Sequence, residues 1–229
     1  YGNVNESYFD TCYYGIYGLT TLCTGCGFHD CQIGVRFSFN RAVIDGNYFQ
    51  GCFTAIEARS AGVVSNNTFT ACGGSATNNI DIDGAYTDII IIGNLFNEFG
   101  GVPIICKYTA GTVGSNLTIQ GNIFSYQGGS NAKEAIKIVG NSTHILSGFT
   151  ISGNILHGSG SAYDGIYISY AKNFQIIGNR IYGFGHYGIK ILEAASEDVL
   201  IVGHVLSGND DGAISDGGTG TLADNNITT

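Results

Sequence analysis

The stretch Asp45-Gly46-Asn47-Tyr48-Phe49 sets an asparagine between a glycine and an apolar pair. The same phrase returns as Ser65-Asn66-Asn67-Thr68-Phe69, Ile92-Gly93-Asn94-Leu95-Phe96, Gln120-Gly121-Asn122-Ile123-Phe124, Ser152-Gly153-Asn154-Ile155-Leu156 and Ile177-Gly178-Asn179-Arg180-Ile181, and in weaker form as Val202-Gly203-His204-Val205-Leu206 and Asp224-Asn225-Asn226-Ile227. Successive asparagines lie about 20 to 32 residues apart, a spacing typical of solenoid proteins. The chain is therefore predicted to be a repeat protein.

Each repeat is too short for two helices, and its apolar residues alternate with a period of two rather than 3.6. One strand track leads into each asparagine, as in Leu117-Thr118-Ile119. A second track lies further along each repeat, as in Gly165-Ile166-Tyr167 and Gly188-Ile189-Lys190. We therefore predict an all-β fold, a parallel solenoid of about nine coils.

Stacked coils place identical side chains above one another, so the asparagine amides are expected to form a hydrogen-bonded ladder. A second ladder is predicted from four cysteines that each follow an aromatic residue by three positions. These are Cys12, Cys31, Cys52 and Cys72, and the later rungs of the ladder are assigned to Phe99, Gln127 and Phe184.

The seven cysteines are expected to be free thiols, because stacked cysteines have parallel Cβ vectors that do not suit disulfide geometry. Cys23, Cys26, His29 and Cys31 contain the residue types of a zinc site. Turns and the cysteine ladder already account for these four positions, and no metal or other cofactor is predicted.

The composition suits one elongated β domain over residues 1–229. Glycine supplies 36 of 229 residues but proline only one, and 44% of residues are hydrophobic against 12% charged. Because neither end resembles a solenoid cap, we expect the sequence to be a fragment of a longer chain. No apolar run reaches the ~18 residues of a membrane span, so membrane insertion is not expected. The net charge of −9 argues against nucleic acid as a partner.

The repeated Gly-Asn-x-Phe/Ile turn, followed by a Gly-Ile-x-Ile strand, resembles the right-handed parallel β-helices of the pectate-lyase-like superfamily. The resemblance covers nearly the whole chain. Within that superfamily the chain is most similar to the β-helix body of a bacteriophage tailspike. This implies a homotrimer, in the virion or outside the cell, that binds and often cleaves bacterial surface polysaccharide. The calcium-binding aspartates and arginine base of pectate lyases cannot be matched here, so no catalytic residue is carried over.

A candidate site follows from strand register instead. If the isoleucine of each second-track strand points inward, its neighbours point outward and form columns on one face. One column contains Tyr17, Arg36, Glu57, Asp81, Ile105, Lys137, Tyr167 and Lys190, and the column beside it contains Ser38, Arg59, Asp83, Lys107, Val139 and Ser169. The central charges of the chain are thereby predicted to gather on one surface.

Three carboxylates in these columns are the predicted catalytic groups. Glu57 and Asp81 should lie about 4.8 Å apart at the backbone, and Asp81 and Asp83 about 6.6 Å apart along one strand. Such pairs suit glycosidic hydrolysis, with Glu57 as the acid and Asp81 or Asp83 as the base. Backbone spacing does not decide between a retaining and an inverting reaction.

Five further residues are predicted to bind substrate. Arg59, Lys107 and Lys137 would bind an acidic sugar, and Tyr86 and Tyr167 would stack on sugar rings. Longer inserts in the central coils are expected to wall the site.

Other interpretations stay open at this stage. The charges on neighbouring rungs could be cross-strand ion pairs without any chemistry. The chain could also be a β-eliminating polysaccharide lyase with a lysine or tyrosine base, or an adhesin that binds glycan without cleaving it. Product chemistry would separate these classes.

Overall fold

The computed structural model describes residues 2–18, 21–38, 41–73, 78–83, 87–107, 115–125, 133–160, 163–192 and 196–228. Within these ranges every regular element is a β-strand, and the strands form three parallel sheets, A, B and C. Sheet A contains Val4–Asn5, Leu22–Thr24, Ala42–Asp45, Gly62–Ser65, Thr87–Ile92, Ser115–Gln120, Leu146–Ser152, Ala171–Ile177, Glu197–Val202 and Leu222–Asp224. Sheet B contains Tyr8–Asp10, Gly27–His29, Tyr48–Gln50, Thr68–Thr70, Leu95–Asn97, Ile123–Ser125, Ile155–His157, Arg180–Tyr182, Val205–Ser207 and Ile227–Thr228. Sheet C contains Tyr14–Tyr17, Ile33–Phe37, Thr54–Ala58, Asn78–Asp83, Val102–Lys107, Ile136–Val139, Ile166–Ser169, Tyr187–Ile191 and Gly212–Asp216.

The chain passes through sheets A, B and C in turn, and each strand pairs with the equivalent strand of the next coil. The described residues form nine complete coils and part of a tenth. The fold is a right-handed parallel β-helix, which confirms the predicted class. Sheet B did not stand out in the sequence because its strands are three residues or shorter and follow the asparagine directly.

The corner between sheets A and B is held by the predicted asparagine ladder. The Asn94 side chain donates a hydrogen bond to Oδ1 of Asn122 at 3.0 Å and another to the carbonyl of Val64 at 2.9 Å. Gly121, just before Asn122, has a φ of +62°, which allows the sharp turn without a Cβ clash. The same side-chain bonds join Asn47, Asn67, Asn94, Asn122, Asn154 and Asn179, all almost fully buried.

Stacked aromatic rings fill the core behind sheet B. The centroids of Phe69 and Phe96 lie 4.7 Å apart, and those of Phe96 and Phe124 are separated by the same distance. The column of sheet C that faces these rings is built from small residues. A Cβ on Gly34 would lie 2.9 Å from the Phe49 ring, so this close packing requires glycine there.

The cysteine ladder follows the predicted register where the structure describes it. Cys31, Cys52 and Cys72 are buried, and Phe99 and Phe184 occupy later rungs in the core. Gln127 lies outside the described residues. All seven cysteines are free thiols. Burial raises the pKa of Cys31 to about 11, so this thiol stays protonated and unreactive at neutral pH.

The four residues with a zinc-like composition occupy different places around one coil. Cys23 points into the core toward Asn47, and the backbone N–H of Cys26 donates a hydrogen bond to Oδ1 of Asn47, the first asparagine of the ladder. His29 faces outward toward Asp10. Among the described residues, no group of three or more His, Cys, Asp or Glu side chains could hold a metal ion. The same part of the chain contains no helix long and apolar enough to cross a membrane.

Candidate functional site

The outer surface of sheet C carries the predicted column of charged and aromatic side chains. Strand register places Tyr17, Arg36, Glu57, Asp81, Ile105, Lys137, Tyr167 and Lys190 on successive coils, in that order. Ile56 and Ile80, which precede Glu57 and Asp81, are fully buried. The predicted alternation of inward and outward residues is therefore confirmed for this face.

Six residues of this face form what we call the central cluster: Arg36, Glu57, Arg59, Asp81, Asp83 and Lys107. Arg59 connects two of the carboxylates. Its Nε donates a hydrogen bond to Oε1 of Glu57 at 2.9 Å, its Nη2 contacts the same oxygen, and its Nη1 lies 3.0 Å from Oδ2 of Asp83. Although burial opposes its charge, the hydrogen bond and charge of Glu57 raise the pKa of Arg59. The guanidinium is therefore a permanent positive charge between two carboxylates.

The other two cations of the central cluster complete the pairing. Nε of Arg36 lies 3.2 Å from Oε2 of Glu57, and Nζ of Lys107 lies 2.8 Å from Oδ2 of Asp81. Asn78 donates a hydrogen bond to the same Asp81 oxygen at 3.1 Å. In contrast, Oδ1 of Asp81 is buried and has no hydrogen-bond partner among the described residues.

The central cluster is thus balanced, with three cations against three carboxylates. This is the geometry expected of cross-strand ion pairs. Both arginines contact Glu57, so its carboxylate oxygens are engaged in ion pairs. The catalytic roles of Glu57, Asp81 and Asp83 stay predictions.

A second group lies further along the same sheet, and we call it the distal cluster: Glu134, Lys137, Asp164, Tyr167, Tyr187 and Lys190. Nζ of Lys137 lies 2.9 Å from Oε1 of Glu134 and 4.8 Å from the centre of the Tyr167 ring. Lys190 lies 5.6 Å from the centre of the Tyr187 ring. The structure therefore places the predicted binding residues Lys137 and Tyr167 together, beyond the central cluster.

Asp164 is paired less closely with a cation than the carboxylates of the central cluster are. Its Oδ1 accepts a hydrogen bond from the backbone N–H of Tyr187 at 3.0 Å, but its Oδ2 lies 3.9 Å from Nζ of Lys190. Burial raises the pKa of Asp164, and the negative charge of Glu134 acts in the same direction. Burial therefore favours the protonated form of Asp164.

The sequence analysis singled out neither Glu134 nor Asp164. A signal was present in the chain. Glu134-Ala135-Ile136 and Asp164-Gly165-Ile166 both place a carboxylate two residues before an inward isoleucine, and those isoleucines pair in register. Tyr86, predicted to bind substrate, lies outside the described residues. The predicted inserts span residues 73–78, 108–116, 126–133 and 141–147, and the structure describes only the last of them in full.

Comparisons with known proteins agree on the architecture. No family model and no curated protein sequence matches the chain. Among solved structures, a point mutant of the periplasmic alginate epimerase AlgG superposes with a TM-score of 0.59 at 15% identity, covering 93% of this chain and 61% of that one. An exopolygalacturonase from Thermotoga maritima superposes with a TM-score of 0.52 at 12% identity, covering 90% and 55%. These are parallel β-helix proteins. At such identities the likeness shows the fold alone, and the chain spans about three fifths of the epimerase.

Proposed function

We propose that this protein binds a linear polysaccharide along the outer face of sheet C and cleaves it by hydrolysis. The observation that carries the proposal is the column of cations, carboxylates and tyrosines that runs parallel to the helix axis. A regular polar surface of this kind suits a polymer with a regular repeat. The resemblance in fold to polysaccharide-processing enzymes, an epimerase and a polygalacturonase, supports the same substrate class.

An acidic sugar fits this face best. Arg36, Arg59 and Lys107 are part of balanced pairs, but each side chain keeps between a quarter and a third of its surface exposed. A carboxylate on the substrate could share or replace their protein partners, because guanidinium groups bind carboxylates through paired hydrogen bonds. Lys137 and the Tyr167 ring would contact the polymer further along the same line.

Hydrolysis needs one carboxylic acid and one carboxylate near the scissile bond. In the central cluster, Asp81 or Asp83 would act as the base and Glu57 as the acid. Glu57 can take the acid role only when its guanidinium partners are drawn away, for example by the carboxylate of a bound sugar. The substrate must therefore carry an anionic group that can compete with Glu57 for these guanidinium groups.

The test is the release of oligosaccharides from a panel of bacterial surface polysaccharides by the full-length protein. Glu57→Gln, Asp81→Asn and Asp83→Asn should lower release, while Glu6→Gln, which changes an exposed carboxylate away from sheet C, should not. New reducing ends without ultraviolet absorbance are the expected products. Unsaturated, ultraviolet-absorbing products would instead indicate a lyase, and binding to an intact polymer would indicate an adhesin.

The resemblance to tailspikes adds finer proposals. They are a bacterial surface polysaccharide as the natural substrate, a homotrimeric assembly, and a location in a phage tail or outside the cell. Sedimentation of the full-length protein tests the trimer directly. A monomer at micromolar concentration would exclude an obligate trimer and leave the glycan-binding proposal intact.

A further inference from the structure

Glu134 and Asp164 occupy equivalent positions on neighbouring coils of sheet C. Ile136 pairs with Ile166 in register, and the backbone N–H of Ala135 donates a hydrogen bond to the carbonyl of Gly165 at 3.1 Å. Residues so placed lie about 4.8 Å apart at the backbone. Both acidic residues are buried, with 6% exposure each.

The two carboxylates differ in how closely a cation approaches them. Oε1 of Glu134 contacts Lys137 at 2.9 Å, and its Oε2 is buried without a hydrogen-bond partner among the described residues. The closest ion pair of Asp164 among the described residues is with Lys190, whose Nζ lies 3.9 Å from Oδ2. A buried, unpartnered carboxylate oxygen is costly unless a ligand or water satisfies it. The pair therefore has both an unequal charge balance and an oxygen that lacks a partner.

Two carboxylate oxygens of the central cluster, Oε2 of Glu57 and Oδ1 of Asp81, also lack a hydrogen-bond partner among the described residues. The difference lies in the ion pairs, because every carboxylate of the central cluster has a cation within 3.2 Å, whereas Asp164 does not. Enzymes that use two carboxyl groups as acid and base keep them in unequal environments. The distal cluster has this inequality before any substrate binds. The central cluster acquires it only if an ion pair is broken.

We propose that Asp164 and Glu134 are the acid and base that cleave the glycosidic bond, and that the central cluster binds the polymer alongside. This inference rests on the proposed hydrolysis of a polysaccharide along sheet C, and it moves the acid and base from the central cluster to the distal cluster. Asp164 would give its proton to the glycosidic oxygen as the bond from that oxygen to the anomeric carbon breaks. Glu134 would take a proton from the water whose oxygen bonds to the same carbon. One water is consumed, and solvent returns the proton from Glu134 to Asp164.

Four full-length variants test the inference: Asp164→Asn, Glu134→Gln, Glu57→Gln and the control Glu6→Gln. The amide side chain in Asp164→Asn would keep the acceptor oxygen for the Tyr187 N–H, so the fold should survive. We expect the two distal variants to lower kcat by about 10²-fold or more, with polymer Kd changed less than about twofold. Glu57→Gln should change Kd or KM more than kcat.

Two further measurements distinguish chemistry from a structural role. Asp164→Asn should retain cleavage of a nitrophenyl glycoside far better than cleavage of the polymer, because a good leaving group needs no proton donor. Positive charge on Lys190 or His186 lowers the pKa of Asp164, and the negative charge of Glu134 raises it. Lys190→Gln should therefore move the alkaline limb of the kcat profile to higher pH, because removing that cation favours the protonated acid.

If Asp164→Asn and Glu134→Gln cleave like the parent while Glu57→Gln or Asp81→Asn is inactive, the inference is overturned and the proposed function stands. Failure of the parent itself to cleave any bound polymer would remove the proposed hydrolysis, and the inference with it. Loss of activity together with a lowered Tm in both distal variants, without the leaving-group effect, would assign them a structural role.

Discussion

His204 takes the place of a ladder asparagine next to Asn179. Its Nδ1 accepts a hydrogen bond from the backbone N–H of Asn179 at 3.1 Å, and its Nε2 lies 2.9 Å from the carbonyl oxygen of Ile176. Both contacts are satisfied only by a neutral imidazole with its proton on Nε2. If Nδ1 were protonated, its N–H would face the backbone N–H of Asn179, and neither donor would have an acceptor. Burial also lowers the pKa of His204 below its ordinary value.

Stability should therefore fall in mildly acidic solution through this residue. In the unfolded chain His204 becomes protonated near pH 6.5. In the folded chain it becomes protonated only at a lower pH, because burial lowers its pKa. The contribution of neutral His204 to the free energy of unfolding is thus complete above about pH 6.5. It is lost as the pH falls toward the lowered pKa of the folded state, by at most about 1.4 kcal/mol per pH unit. Urea unfolding between pH 4.5 and 8 measures the change.

His204→Asn should remove that pH dependence, because it restores the amide used by the earlier coils. His157→Asn, at an exposed histidine stacked on Tyr182, is the matched control and should leave the dependence unchanged. Identical pH profiles for the parent and His204→Asn would refute the assignment.

The asparagine ladder should contribute strongly to stability at its centre. Oδ1 of Asn122 accepts from the backbone N–H and the side chain of Asn94, and its amide donates to Ile91 and Asn154. Asn122→Ala leaves several buried groups without partners and should lower the free energy of unfolding by roughly 2 to 4 kcal/mol. Denaturant unfolding measures this, with the exposed Asn5→Ala as control. A loss equal to that of the control would mean that the ladder contributes little.

Asn79 is a buried polar residue in the small-residue column of sheet C. It is fully buried at the position that pairs with Ala55 of the coil before, and neither atom of its side-chain amide has a hydrogen-bond partner among the described residues. Asn79→Ala should stabilise the fold by about 1 to 2 kcal/mol, because it removes an unpaired buried amide. The reverse change on the coil before, Ala55→Asn, should destabilise it. Denaturant unfolding measures both, and a destabilised Asn79→Ala variant would contradict this account.

Arg59 should be the most important cation of the central cluster. Its removal leaves Glu57 and Asp83, both almost fully buried, without their shared partner. Arg59→Ala should lower the free energy of unfolding by roughly 1 to 3 kcal/mol, less than a fully buried pair because the guanidinium is one-third exposed. The double variant with Glu57→Gln should recover part of the loss. Additive losses would show that the two side chains are not energetically coupled.

The sequence predicted the outward column of sheet C because side chains in a strand alternate strictly between its two faces. Once Ile56, Ile80 and Ile136 were assigned to the core, Glu57, Asp81 and Lys137 had to lie outside. A one-residue slip would have exposed the isoleucines, so the register was strongly determined. The asparagine and cysteine ladders followed from the same periodicity.

The pairing of the charges could not be obtained in this way. Register brings Arg36, Glu57 and Asp81 onto neighbouring coils, but it does not say which carboxylate Arg59 contacts or how far Lys190 stays from Asp164. Those distances depend on side-chain conformations and on the packing around each residue. The contrast between the close ion pairs of the central cluster and the unequal Glu134–Asp164 pair is therefore visible only in three dimensions.

The sequence by itself determined the parallel β-helix, its coil number, its ladders and the face that carries the charges, because each depends on local periodicity repeated along the chain. The tertiary structure alone decided the ion pairing, the burial of Asp164 and the hydrogen bonds by which His204 replaces a ladder asparagine. These features depend on side-chain conformations and on contacts between neighbouring coils, and repeat periodicity does not specify the geometry of individual side chains.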